Sequence, residues 1–244
     1  MVLTLAIRDV QPATPRARLV RIDLAGHQFP YQPGQALLLA RHDYEPRQAY
    51  SIAGAPEDAV GDGALELLVG LDETGIPGPH LTLDAGAPVD VEGPIGRFIF
   101  TGEPADTACV FIAGGTGIAP LRAMLRRALM SPERRVGLFY SARTSGEFAF
   151  EDEWRALARS GRIEYHQTVT RETSDGWTGR RGRIGISDLA PLVRDPGALY
   201  FVCGPPALVD DVPKLLDGLG VTRDRVRIEE WTSPAESTPA GSSS

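Results

Sequence analysis

Up to about residue 100 the apolar positions alternate or cluster in short runs, separated by Gly, Pro and Asp. VLTLAIRDV (2–10), ARLVRIDLA (17–25), ALLLARHD (36–43), AYSIAGA (49–55), LELLVGL (65–71) and PVDVEGP (88–94) read as six β-strands. No long helical period interrupts them, which predicts a small antiparallel six-stranded β-barrel. PGPHLTL, residues 77–83, reads as a short helical interruption. From Cys109 the rhythm becomes strand, helix, strand. CVFIA (109–113), RVGLFYSA (135–142), IEYHQTV (163–169), ALYFVC (198–203) and VRIEEW (226–231) are the strand runs. Ile118, Leu121, Met124, Leu125, Ala128 and Leu129 recur at helical spacing, and residues 146–161, 187–193 and 205–220 supply further helical stretches. The alternation predicts an α/β, doubly wound, parallel five-stranded sheet. The expected division is a barrel over 1–101, an α/β domain over 106–231 and a disordered Ser/Pro/Ala-rich tail over 232–244, with TGEPADT (101–107) as linker.

Composition narrows the class without deciding it. The chain has 244 residues, 42% hydrophobic and 23% charged, as in an ordinary soluble globular protein. No apolar run approaches the roughly 20 residues of a membrane span, so no membrane insertion is expected. The first strand lacks the basic and cleavable ends of a signal peptide. Two cysteines, Cys109 and Cys203, are too few for a disulfide framework or a four-thiolate iron–sulfur cluster. The expectation is a cytoplasmic monomer with no metal site. A net charge of −7 argues against a nucleic-acid partner. Arginine is nonetheless dense at Arg171, Arg180, Arg181 and Arg183, as a site for a small anion or as a solvated loop.

Two motifs carry chemistry by their context. FIAGGTGIAPL follows a strand and opens a helix, so Gly114, Gly115 and Gly117 let the backbone approach a phosphate. Pro120 falls in the first helical turn, where its missing N–H costs little. CGPP begins at Cys203, at the carboxyl edge of the sheet beside that loop, where ligands of open α/β sheets bind. Cys203 there is either a ligand neighbour or a buried structural thiol.

Taken in order, QAYSI (48–52), GIPGPHL (75–81), GPIGRF (93–98), GGTGIAPL (114–121), YSAR (140–143), CGPP (203–206) and IEEW (228–231) resemble the ferredoxin–NADP reductase superfamily over residues 3 to 231. The resemblance implies a flavin-binding barrel, a pyridine-nucleotide domain and electron transfer from NAD(P)H through FAD. By that likeness Tyr50 stacks on the isoalloxazine, the Ser51 hydroxyl lies near flavin N5, and Ile52 continues the flavin strand. Thr116 reaches the nicotinamide, Cys203 lies against its C4 with Gly204 and Pro205 following, and Glu229 sits near the same junction. Trp231 matches the family's flavin-covering aromatic or is a packing residue at a seam. Ser141, Arg143, Arg171 and Arg180 match positions used for the nucleotide in NADPH-type members, which favours NADPH with NADH possible.

Two departures fall on the FAD pyrophosphate end. The family arginine of Arg-x-Tyr-Ser is Gln48 here, and the serine of Gly-x-x-Ser-x-x-Leu, spanning Gly75 to Leu81, is Gly78. Strand alternation turns Arg47 away from the face shared by Gln48 and Tyr50 unless a bulge rotates it back, in which case Arg47 is the first candidate for the cofactor contact that Gln48 lacks. Arg41 or His80 is left to supply the missing charge. The leading expectation is an FAD-dependent NAD(P)H oxidoreductase serving a separate one-electron carrier protein such as a ferredoxin. The alternatives are an NAD(P)H:flavin reductase that releases reduced flavin and a non-catalytic nucleotide-binding or regulatory module. The lack of cluster cysteines counts against the electron-transfer subunit of dihydroorotate dehydrogenase.

Overall fold

The computed structural model describes residues 2–102, 108–195 and 197–230. Trp231, the expected tail and most of the expected linker lie outside the described residues.

The first half is one antiparallel sheet. Its strands are β1 (Val2–Thr14), β2 (Ala17–Asp23), β3 (Ala36–Arg41), β4 (Gln48–Ser51), β5 (Ala64–Gly70) and β6 (Pro88–Ile95), in the order β4-β3-β6-β1-β2-β5. A bridge between Ile52 and Leu67 draws the two edge strands together and curls the sheet towards a barrel. The period-2 alternation puts Ile7, Leu37, Leu39, Tyr50, Ile52 and Val91 into one inner core. Leu68, Ala53 and Ala17 face the other way, into the second core described below.

Two local expectations need correcting. A helix, α1 (Pro56–Asp62), follows β4 where none was expected. It buries only Ala59 and so has no apolar period to read. Its signal is Pro56 at the first turn with Glu57 and Asp58 behind it. Conversely, residues 77–83 form no helix. Pro77 and Pro79 break the pattern, and Gly75 and Gly78 take φ of 83° and 100°, a turn conformation rather than a helical one.

The second half runs β7 (Ala108–Gly114), α2 (Ile118–Ala128), β8 (Arg135–Ala142), α3 (Glu151–Arg159), β9 (Glu164–Val169), β10 (Arg180–Arg181), α4 (Ile186–Leu189), β11 (Leu199–Gly204), α5 (Pro206–Gly218) and β12 (Val226–Glu230). All pairs are parallel, in the order β10-β9-β8-β7-β11-β12. The five predicted strands are present. The sixth, β10, is a two-residue edge too short to leave a hydrophobic run. Every residue of β7 is buried, as a central parallel strand requires. From β7 the chain proceeds outward one way through β8 and β9, then returns to lay β11 and β12 on the other side. The order therefore reverses between β7 and β11.

The halves share a core and a charged seam. Phe100 of the first half packs against Phe111 and Phe201 of the second, with ring centroids 6.3 and 5.6 Å away. Arg122 of α2 is buried at this boundary. Its guanidinium pairs with Glu66 of β5, bonds Glu153 of α3 at 2.8 Å and donates to the Ala53 carbonyl at 3.0 Å. Arg126 extends the seam to Asp58 of α1 at 2.6 Å and Arg127 to Glu57 at 2.5 Å. Removing one partner of a buried ion pair leaves an uncompensated charge, which typically costs about 3–5 kcal/mol. Arg122→Ala is therefore expected to lower the unfolding free energy by about that amount in a urea titration, and an exposed Arg127→Ala by about 1 kcal/mol or less.

Candidate active site

The loop after β7 is made by glycines that leave no room for side chains. A Cβ on Gly117 would lie 2.5 Å from the Cys203 carbonyl oxygen, and one on Gly204 would lie 3.0 Å from Gly114 Cα. A Cβ on Gly114 would meet Pro205 Cδ at 2.7 Å. The β7 and β11 loops thus touch backbone to backbone at the point where strand order reverses. Gly115, by contrast, has φ of 55° and nothing within 4 Å of its Cβ direction, so the outer side of this loop is an open cradle. The Tyr140 hydroxyl holds the loop from below by donating to the Gly115 carbonyl at 2.9 Å. Helix α2 starts directly after it, with Pro120 buried in its first turn. The cradle fits a phosphate held by backbone N–H groups.

Beside it, β11 lies between β7 and β12, with Cys203 in register with Ala113 and Glu229. Cys203 is fully buried, and burial first, then the Glu229 charge, pushes its thiol well above its ordinary range. The thiol is therefore held protonated in this setting. Glu229 Oε2 is buried without a hydrogen-bond partner, and burial raises this carboxyl to about 7. An orphaned acid at a sheet edge suits a polar ligand group such as a carboxamide. Thr116 reaches across to the first half, its Cγ2 lying 3.6 Å from the Cβ direction of Gly70 at the end of β5.

On β4, strand alternation separates the residues by role. Ser51 is 5% exposed and pairs with Ala36, two residues before the Ala53 carbonyl that Arg122 grips. Tyr50 points the other way, into the barrel core, at 2% exposure. Its hydroxyl lies 2.7 Å from His80 Nε2, and the two rings stack at 5.9 Å between centroids. His80 therefore covers the ring that the resemblance assigns to the isoalloxazine. The notion that His80 supplies a phosphate charge is corrected here. Its ring is buried, and desolvation lowers its proton affinity, so the neutral form prevails. Arg47 does turn away from Gln48 and is taken up by Glu45 at 2.8 Å and Glu92 at 3.3 Å. Arg41 donates to the Pro79 carbonyl at 3.3 Å and lies over the Tyr44 ring. Leu81 is in the barrel core beneath the Gly75–Gly78 turn.

The arginines expected at the nucleotide divide in the same way. Ser141, next to last in β8, is in register with Gly114, and Arg143 and Arg171 follow β8 and β9, joined by an Arg171 N–H to Arg143 carbonyl bond of 2.7 Å. Arg180 is committed to Asp188 through bonds of 2.8 and 3.0 Å. Between them lies a residue the motif reading passed over. Glu172 accepts from the Ser145 N–H at 2.9 Å, the Ser145 hydroxyl at 2.7 Å and the Ser174 N–H at 2.9 Å. The Ser145 N–H, then its hydroxyl, then Ser174 hold the Glu172 carboxyl down at about 2, so it is ionised. Its place directly after Arg171 was the available signal.

Comparison with known proteins agrees with this geometry. Residues 111–214 match the oxidoreductase NAD-binding domain family. The chain is 35% identical over 236 residues to ferredoxin–NADP reductase B of Sorangium cellulosum, covering 91% of this chain and 94% of that one. The chain belongs to the ferredoxin–NADP reductase family. It is also 28% identical over 200 residues to one subunit of the Na(+)-translocating NADH-quinone reductase of Klebsiella pneumoniae, and it spans 48% of that subunit's length. Among solved structures, the ferredoxin reductase in carbazole 1,9a-dioxygenase superposes with a TM-score of 0.81 at 25% identity, covering 95% of this chain and 70% of that one. A ferredoxin NADP+ reductase from Neisseria gonorrhoeae with bound FAD and NADP shares the fold at a TM-score of 0.76 and 20% identity, over 94% and 98% of the two chains. As a ferredoxin–NADP reductase family member the chain is an NAD(P)H-dependent flavoprotein oxidoreductase, and the reading as a non-catalytic module falls. Among the described residues no helix is long and apolar enough to cross a membrane.

The raised Glu229 carboxyl has a measurable consequence. Between its ordinary 4.5 and its folded value of about 7, the unfolded chain has released a proton that the folded chain retains. Stability contributed by this residue therefore falls as pH rises through that window. Glu229→Gln is expected to flatten that part of the stability–pH profile, and an unchanged slope in denaturation series from pH 4.5 to 7 would place the proton elsewhere.

Proposed function

We propose that this family member takes a hydride from NAD(P)H and passes electrons singly to a separate carrier protein such as a ferredoxin, in a cytoplasmic setting. One observation carries the reading. Thr116 of the nucleotide loop abuts the end of β5, while Arg122, six residues on, grips the chain at Ala53, two residues after Ser51. Both ligand-bearing segments are thus registered at one seam, as hydride transfer across about 3–3.5 Å demands. FAD, when bound, supplies the conversion between two-electron and one-electron chemistry. The chain's own residues do the rest. Gly114 to Gly117 and α2 bind the pyrophosphate. Ser51 offers a hydroxyl at the flavin's reacting edge. Buried Cys203 packs the nicotinamide region and excludes water, and Glu229 holds a proton within it.

A second reading, a reductase that releases its reduced flavin, is favoured by one observation. Arg47 is spent on Glu45 and Glu92 and Gln48 is uncharged, which leaves the phosphate end without its family cation. Purified protein supplied with FAD and NADPH is expected to reduce an added [2Fe–2S] ferredoxin faster than free FMN. The reverse order would establish flavin release instead.

For the nucleotide, Arg143 and Arg171 at the strand ends favour the 2′-phosphate of NADPH, whereas ionised Glu172, directly after Arg171, favours ribose hydroxyls. Each charge-assisted bond is worth roughly 10- to 100-fold in affinity. Arg143→Ala and Arg171→Ala are expected to reduce kcat/KM for NADPH by about that factor and to spare NADH. Glu172→Gln should shift the ratio towards NADPH. Equal losses with both nucleotides would remove the 2′-phosphate role.

A further inference from the structure

Among the described residues, buried side-chain nitrogens without a hydrogen-bond partner occur at Arg47 Nε and His80 Nδ1, both at the flavin-strand end of the barrel. Arg47 has carboxylates on its Nη1 nitrogen already. His80 is different. Its Nε2 meets the Tyr50 hydroxyl, and with that hydroxyl donating, the ring proton lies on Nδ1. In that tautomer a donor is buried with nothing to receive it, a state native proteins seldom keep.

The surroundings of that edge point to a ligand. Its cover is the Gly75–Gly78 turn, and a Cβ on Gly78 would stand 3.1 Å from Nδ1. The imidazole edge therefore occupies the space that a side chain at residue 78 would use. The front of the turn is pinned by Asp72, whose Oδ1 accepts from the Thr74 N–H at 2.8 Å and the Ile76 N–H at 3.2 Å. The rear is closed by a Leu81 N–H to Gly78 carbonyl contact of 3.5 Å, at the limit of a hydrogen bond, and by Arg41 Nε donating to the Pro79 carbonyl at 3.3 Å. His80 itself is anchored, since its carbonyl accepts from the Arg41 N–H at 2.8 Å. A fixed donor thus lies beneath a glycine turn, beside Tyr50.

We propose that His80 divides its two nitrogens between two tasks: Nδ1–H donates to an oxygen of the flavin's ribityl–pyrophosphate chain, and Nε2 holds the Tyr50 hydroxyl. The histidine then supplies by a neutral hydrogen bond what Gln48 and Gly78 do not supply by charge or hydroxyl. This rests on the flavin reading above.

Two substitutions separate the tasks, because an Asn amide reaches the place of Nδ1 and a Gln amide the place of Nε2. FAD affinity of the apoprotein, followed by quenching of flavin fluorescence, is expected to stay within about threefold of wild type in His80→Asn. It should fall about five- to tenfold in His80→Gln and His80→Ala, as for one lost hydrogen bond. In ¹⁵N-histidine spectra of the wild-type protein, FAD should shift the Nδ1 resonance of an Nδ1–H tautomer. A Gln variant as tight as wild type, an Asn variant as weak as Ala, or an Nε2–H tautomer indifferent to FAD overturns the assignment. A wild-type apoprotein that takes up no FAD overturns the flavin reading and this assignment together, whereas normal uptake with a flat variant series overturns this assignment alone.

Discussion

Arg122 is the interaction on which the arrangement turns. It stands in the second turn of the helix that opens at the glycine loop, yet its bonds go to Glu66 and Ala53 of the barrel and Glu153 of α3. A buried guanidinium tolerates little displacement, because each donor that loses its acceptor leaves an unsolvated charge. The planar fork therefore holds β5, the segment that follows β4, α2 and α3 at one relative position. Hydrophobic packing of Phe98 and Phe100 on the parallel sheet supplies most of the cohesion but little orientation, since apolar contacts are non-directional. The ion pairs contribute direction. Electron transfer between two bound ligands needs that direction more than it needs additional stability.

The glycine loop is the second constraint and works by exclusion. At Gly117 and Gly204 the approach of two backbones forbids any Cβ, and at Gly114 the Pro205 ring and the Leu208 side chain fill that place. Such a site has few substitutable parts, and the same fact makes it easy to read. The pattern strand, glycines, helix states both where a phosphate would be held and why no side chain fits at Gly117. The same clarity extends to the strand order, because the alternation of apolar runs and helical periods leaves few topologies open.

What remained illegible shares a physical cause. Helix α1 escaped because it buries a single alanine and is held by Arg126 and Arg127, whose partners lie 68 and 70 residues away. Residues 77–83 looked helical because their composition includes Leu81 and Leu83, while the positive φ of Gly78 and the flanking prolines decide otherwise. Glu172 was overshadowed by the arginines around it, and its fixed charge depends on Ser145, which only the fold brings near. The stacking of His80 on Tyr50 joins a turn to a strand 30 residues earlier. Apart from the turn at 77–83, each of these missed features is a pairing of polar groups across the chain, and local periodicity carries no information about such pairs. The apolar cores, by contrast, are written locally in every strand.

This division explains why the departures from the family pattern gather at the flavin end. The nucleotide end is made of backbone, and a side chain at Gly114, Gly117 or Gly204 would meet atoms at 3.0 Å or less. The flavin end is made of side chains on a strand and a turn, where one polar group can take over from another if it arrives by a different route. Gln48 leaves a charge unfilled, Arg47 faces Glu92 across the outer surface, and Gly78 opens space into which the His80 ring already extends. These changes are compatible with one another. A serine at residue 78 would need φ of 100° and would crowd the imidazole, so the loss of the serine and the presence of the histidine belong to a single solution. A side-chain-built site can be rebuilt in this way while the seam at Arg122 keeps its position relative to the nucleotide loop unchanged.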